Sequence, residues 1–287
     1  TGFNTILDHT LTTTYKTDLN NDFDLDVLAG VNSRELSYNQ MGATSKDQLV
    51  FGLLDHTNFV THDIVNESGA DMDYLIKSQS IGAFATATLG YRNYAYLVVG
   101  GRNSFTSTLE AENRSVFYPN ISGSFIATEA FDFLRNKKNI NYLKFRLGYS
   151  TAANFPNPYS TRSALNISTR NFVTNAGTVI NTNSIPNFLP NPNLKPELMA
   201  ETETGIEGKF FQSRLSADIT LYQRVSNDQI LNRDLDPSTG YTSQQINAGK
   251  VTNKGIEAQL AYKIIRNKDW VWEVTGNWTI NNSMVSD

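Results

Sequence analysis

Residues 215–221 read Leu-Ser-Ala-Asp-Ile-Thr-Leu, with the apolar Leu215, Ala217, Ile219 and Leu221 on every odd position. A period of two belongs to an extended strand with unlike faces. Downstream, Ile256, Ala258, Leu260, Tyr262 and Ile264 take the even positions, and Glu257, Gln259, Ala261 and Lys263 the odd ones. Trp270, Trp272, Val274, Gly276, Trp278 and Ile280 then alternate with Val271, Glu273, Thr275, Asn277, Thr279 and Asn281. In each segment the charges fall on one face. A lysine or arginine turned to lipid at mid-membrane costs about 2–4 kcal/mol in a transmembrane barrel. The uncharged rows therefore fit a lipid-facing wall, but they fit the inner face of a soluble β-sandwich equally well.

The same pattern along the whole chain predicts ten strands, near 5–16, 25–36, 77–91, 94–105, 116–127, 142–154, 201–211, 215–230, 251–266 and 270–282. Their connections separate the two architectures. The links at 17–24, 92–93, 212–214 and 267–269 are short, whereas those at 37–76, 106–115, 155–200 and 231–250 are longer. Short and long links alternate. An up-and-down barrel across an outer membrane sorts its links in this way, with short periplasmic turns and long extracellular loops. A Greek-key sandwich has no reason to do so. The link at 128–141 breaks the pattern by its length, and its Glu129–Arg135 stretch reads as a helical turn under the wall. Tyr15, Tyr91, Tyr94, Tyr96, Phe210, Phe211, Trp270 and Trp272 flank the short turns. Such rings favour the lipid–water boundary, where an apolar body and a polar tip are both accommodated.

Composition narrows the picture further. The 287 residues include 13 tyrosines and 16 phenylalanines, and only 18% are charged. That is below the usual quarter or so. No apolar run approaches the ~18 residues that a transmembrane helix needs. A net charge of −4 argues against nucleic acid as a partner. The lack of cysteine excludes a disulfide scaffold and a Cys-based zinc site. The chain opens at Thr1 without a signal peptide and reads as a mature or trimmed segment, a single domain over 1–287.

Two motifs are more specific. Asn191, Pro192, Asn193, Leu194, Lys195, Pro196 and Glu197 precede a Glu/Thr-rich strand and a Phe210-Phe211 turn. Gly249, Lys250, Val251, Thr252, Asn253, Lys254, Gly255, Ile256 and Glu257 follow. Together with Leu143–Ser150 and Tyr118–Ser122, these runs resemble the C-terminal barrel of TonB-dependent outer-membrane transporters, and within them the SusC/RagA-type importers. The resemblance covers residues 80–281; the first 75 or so match only as strand and loop.

It implies an all-β, antiparallel up-and-down transmembrane β-barrel, this chain supplying about ten strands of a 22-stranded whole. It further implies residence in the bacterial outer membrane, and TonB-powered import of a glycan or peptide substrate. The implied partners are outer-membrane lipid, a SusD-like surface lipoprotein as lid, and TonB acting through a plug domain. The plug and the closing strand are not among these residues, so strands 5–16 and 270–282 are expected to present open edges. An adhesive or structural scaffold barrel is the alternative.

Chemistry is sparse. His9, His56 and His62 have no zinc or triad spacing. The runs at 18–24 and 234–240 alternate oxygen ligands without the twelfth-position glutamate of a calcium loop, and read as polar turns. No nucleotide motif, cofactor site or catalytic set is found, so the chain is not read as an enzyme. Glu201, Glu203, Glu207 and Lys209 share one strand face as a polar lumen wall. In the longest loop, Phe155, Tyr159, Arg162, Arg170 and Phe172 are the candidate substrate-binding groups, because aromatic and cationic side chains grip sugars and peptides.

Overall fold

The fold is taken from a computed structural model of the chain. It describes residues 1–63, 72–134, 138–163, 165–173 and 179–286, with 166–173 and 179–184 as backbone only. In chain order the strands are β1 (Gly2–Asp18), β2 (Phe23–Gln40), β3 (Thr44–Gln48), β4 (Phe59–Asp63), β5 (Tyr74–Tyr91) and β6 (Ala95–Thr106). There follow β7 (Ser115–Ile126), the short helix α1 (Ala127–Ala130), β8 (Ile140–Asn154), β9 (Asn166–Val173), β10 (Val179–Ser184) and β11 (Phe188–Leu189). The chain ends through β12 (Glu197–Phe210), β13 (Leu215–Asn227), β14 (Ile230–Asp234), β15 (Ser243–Asn247), β16 (Lys250–Arg266) and β17 (Val271–Ser286).

Ten of these form one antiparallel sheet in the order β1-β2-β5-β6-β7-β8-β12-β13-β16-β17. Every wall strand pairs with its sequence neighbour in the wall, which is the up-and-down pattern expected from the links. The sheet is open: among the described residues β1 and β17 each have a partner on one side only.

Register fixes which residues share a face. Ser124, Arg146, Gly205, Thr220, Glu257 and Thr279 lie in one row across β7, β8, β12, β13, β16 and β17. One step along, Phe145, Ile206, Ile219, Ala258 and Trp278 form the opposite row. The second row lies bare: Ile206 is 47% exposed, Ile219 44% and Trp278 55%. Among the described residues no second sheet covers it, and the few buried apolar side chains include Leu109, Ala127 and Leu194. This disposes of the sandwich, because a sandwich core would bury those rows. The apolar face of the sheet is the lipid face and the charged face is the lumen.

The short turns are built by local chemistry. Arg92 and Asn93 take φ of 47° and 60°, and Tyr94 N donates to Tyr91 O at 3.1 Å. Two left-handed residues twist a hairpin in the sense the strands require. Phe211, Gln212 and Ser213 all have positive φ in the β12–β13 turn. Asn20 Oδ1 accepts from Asp22 N and Phe23 N, and Asn267 Oδ1 from Asp269 N and Trp270 N. The run at 18–24 thus holds a turn built on the Asn20 side chain, and Asp22 pairs with Arg92 at 2.7 Å. At 234–240, Asp236 caps a 3-10 turn over Pro237–Thr239, and Gly240 closes it at φ 81°.

The helical turn expected at Glu129–Arg135 forms earlier, over Ala127–Ala130, and Arg135 lies outside the described residues. Its Thr128 hydroxyl accepts from Leu143 N at 3.2 Å, tying it to β8. Aromatic side chains line the rim: Phe23–Tyr91, Tyr91–Tyr94, Tyr94–Phe125, Phe125–Phe131 and Phe131–Phe133 have ring centroids 4.7–6.0 Å apart. Tyr96 is the exception, since it shares register with Ser124 and so faces the lumen.

Candidate functional site

Two arginines organise the lumen face. Arg146 on β8 crosses β12 above Gly205 and reaches β13, where Nη2 donates to Asp218 Oδ1 at 2.6 Å and to Thr220 Oγ1; its Nε lies 3.3 Å from Glu203 Oε1. A Cβ at Gly205 would stand 2.6 Å from the guanidinium carbon, so the crossing requires glycine. Arg102 on β6 does the same over Gly82, reaching Asn32 Oδ1 on β2 at 3.3 Å. Asn32 passes the connection to Asp8 on β1 at 2.6 Å. Glu201 takes Arg224 at 2.5 Å. Of the polar wall read from Glu201, Glu203, Glu207 and Lys209, Glu201 and Glu203 thus hold arginines of neighbouring strands and Lys209 lies 5.7 Å from the Tyr142 ring, contacts that strand periodicity could locate on a face but could not connect.

At the outer end, the 191–197 motif is a staple. Asn191 N donates to Ser160 O at 3.0 Å and Asn191 Nδ2 to Gln245 O at 2.9 Å, joining two loops. Asn247 Oδ1 accepts from Lys195 N, and Asn247 Nδ2 returns to Lys195 O, both at 2.8 Å. Glu197 closes the set, accepting from Asn154 Nδ2 at 2.8 Å and from Ile230 N at 2.7 Å. Leu194 is fully buried beneath it. In the 249–257 motif, Gly255 lies under the Tyr222 ring, Asn253 bonds Ser283, and Lys254 and Glu257 take opposite faces.

The candidate binding residues divide. Arg162 clamps Glu110 of the β6–β7 loop, with Nη2–Oε2 at 2.6 Å and Nε–Oε1 at 2.7 Å. With Thr161 also donating at 2.9 Å, these bonds hold the Glu110 carboxyl down at about 2. Arg162 is thus a loop brace. Tyr159 is exposed at 62% with φ 66°, apart from the others. Arg170 and Phe172 lie on β9, where side chains fall outside the described residues. Phe155 lines a cavity. Phe155, Pro156, Asn157 and Pro158 fold inward against the lumen faces of β2 and β5, and with Arg34, Leu36, Tyr38, Ile76, Ser78 and Ser80 enclose about 440 Å3. The β2 and β5 residues were missed by sequence reasoning. Their signal was their even position near the outer end of those strands, which places them on the lumen face.

The histidines held another surprise. Ser45 Oγ lies 2.6 Å from His56 Nδ1 and 2.9 Å from His62 Nδ1, pinning the β3–β4 excursion. Spacing alone had shown no relation between them.

The model of the TonB dependent receptor-like, β-barrel family matches residues 1–286. The chain belongs to this family of outer-membrane β-barrels. Its sequence is 26% identical to TonB-dependent receptor P26 of Formosa agariphila over 283 residues, which is 95% of this chain and 27% of that protein. TonB-dependent receptor P3 of the same organism is 26% identical over 238 residues, 79% of this chain and 23% of that one. Among solved structures, the RagAB peptide transporter superposes with a TM-score of 0.83 at 22% identity, covering 99% of this chain and 30% of that chain. The siderophore receptor PirA from Pseudomonas aeruginosa gives 0.56 at 16%, covering 98% and 45%. The chain thus spans about a quarter of the length of the curated relatives it matches.

Proposed function

We propose that this chain is part of the barrel of a SusC-like TonB-dependent importer that takes up oligosaccharides or peptides across the outer membrane. In this reading β1 and β17 pair with further strands of a longer protein that also carries a plug, reaches TonB through that plug, and works under a SusD-like lid. The observation that carries it is the open ten-stranded wall, apolar outside and cross-linked by charge inside, within a TonB-dependent receptor family match. Unmet backbone groups in lipid cost several kcal/mol each, so the two free edges call for more strands. No covalent chemistry is assigned to the segment. Deleting the full-length gene and measuring growth on a panel of glycans and peptides tests the reading. Loss of growth on a subset, restored by the gene but not by a strain lacking TonB, is expected; unchanged growth on every solute overturns it.

A further inference from the structure

The cavity beneath Phe155 includes one arginine. Arg34 sits on the lumen face of β2, opposite Asp8 on β1 and Ser80 on β5. Asp8 is committed elsewhere: its Oδ1 accepts from Asn32 Nδ2 at 2.6 Å and from Thr10 Oγ1 at 3.4 Å. Among the described residues Arg34 has no ion-pair or hydrogen-bond partner, in contrast to Arg92, Arg146, Arg162 and Arg224, each of which holds a carboxylate. Leaving a guanidinium unpaired beside a cavity wastes a planar fork that matches a carboxylate with two parallel hydrogen bonds.

The rest of the lining is equally specific. Leu36, Ile76, Tyr38 and Phe155 supply apolar and ring surface; Ser78, Ser80 and Asn157 supply hydroxyl and amide groups. Tyr38 is held in place by its hydroxyl, which donates to Gln40 Oε1 at 2.9 Å, and by the Tyr74 ring at 5.6 Å. Phe155 stands between the Asn154–Glu197 bond and the buried Pro156. The cavity, at about 440 Å3, is of a size that takes a small ligand.

We propose that this cavity is a subsite for an acidic oligosaccharide, with Arg34 taking a uronate carboxylate, Phe155 and Tyr38 the faces of the sugar rings, and Ser78, Ser80 and Asn157 the hydroxyls. The assignment rests on the import reading above and narrows its substrate class. Aromatic faces beside several small hydroxyl and amide groups suit a ring bearing many hydroxyls better than an acidic peptide, whose backbone would call for a strand edge.

The test is calorimetric binding by the full-length protein in detergent, with trigalacturonate, a neutral hexose trisaccharide and a Glu-rich tripeptide as probes. Trigalacturonate is expected to bind and the other two not. Arg34→Gln is expected to weaken it by about tenfold or more, as for loss of a hydrogen-bonded charge, and Arg34→Lys to recover part. Phe155→Ala weakens it independently of charge. Outer-membrane yield and heat-modifiable mobility show that each variant folds. Equal binding of the neutral trisaccharide, preference for the tripeptide, no binding of trigalacturonate, or an unchanged affinity in Arg34→Gln overturns the proposal. Growth of the deletion strain is read separately. If trigalacturonate fails to bind while growth on some other solute depends on the gene, import stands and the uronate subsite falls; if no growth depends on the gene, import falls too.

Discussion

At the scale of single residues, what matters in this wall is where a side chain is missing. Gly205 and Gly82 let arginines from one neighbouring strand lie across the backbone and reach acceptors on the next. Such a crossing joins three strands through one side chain, and it fixes where the guanidinium lies in the lumen. Replacing Gly205 with valine would place carbon within the Arg146 guanidinium, forcing Arg146 off Asp218. The expected outcome is a lower urea midpoint for the full-length barrel, by an amount equivalent to about 1–3 kcal/mol. Arg146→Gln leaves that space free but strands two carboxylates, and should lose less, on the order of 1 kcal/mol because the group is partly solvated. An Arg146→Gln loss larger than that of Gly205→Val would show that crowding at the crossing is not the issue.

At the scale of elements, the outer loops are joined to one another by polar braces over a few buried side chains such as Leu109 and Leu194. The Glu110–Arg162 clamp joins the β6–β7 loop to the loop after β8, and the 191–197 staple joins that loop to the hairpin of β14 and β15. Glu110 has its carboxyl lowered from an ordinary 4.5 to about 2 by the hydrogen bonds of Arg162 and Thr161. A carboxylate whose value is depressed on folding contributes stability above its unfolded value, and that contribution fades as pH falls from about 4.5 through about 2. Amide protection in 107–114, corrected for intrinsic exchange, should therefore drop across that window and not between pH 5 and 8. Glu110→Gln should show low protection at pH 7 and little further change in acid; a wild-type protection that stays flat down to pH 2 contradicts the brace.

For the whole molecule, the lipid and lumen faces set different costs for the same substitution. Leu147 points to lipid at mid-strand, 61% exposed in the protein alone, whereas Ser122 shares the lumen face with Arg146. Leu147→Arg is expected to cost about 2–4 kcal/mol in a bilayer and Ser122→Arg much less, measured by urea unfolding in lipid vesicles. Comparable losses would mean the faces are assigned backwards. The open edges carry a second consequence. Residues 1–287 expressed alone should not give a heat-modifiable, lipid-inserted species, because β1 and β17 would leave two rows of backbone groups unmet. A stable inserted monomer would require closure that the strand order does not contain.

Much of this was already written in the chain. Alternation at 215–221, 256–264 and 270–281 determined the strands and their two faces, because successive side chains of a strand point oppositely whatever its neighbours do. Alternating link lengths determined the up-and-down order, and the wall strands fall where they were expected, longer by a few residues at most ends. The short strands β3, β4, β9, β10, β11, β14 and β15 were read as loop, since pairs of five or so residues carry too little periodicity to stand out. The pairing of Arg162 with Glu110, the meeting of His56 and His62 at Ser45, and the folding of Phe155 onto β2 and β5 were decided only by tertiary structure. Each joins segments separated by loops whose path no local pattern encodes. A strand announces its faces through its own residues, but a contact between loops depends on where the assembled sheet holds their ends.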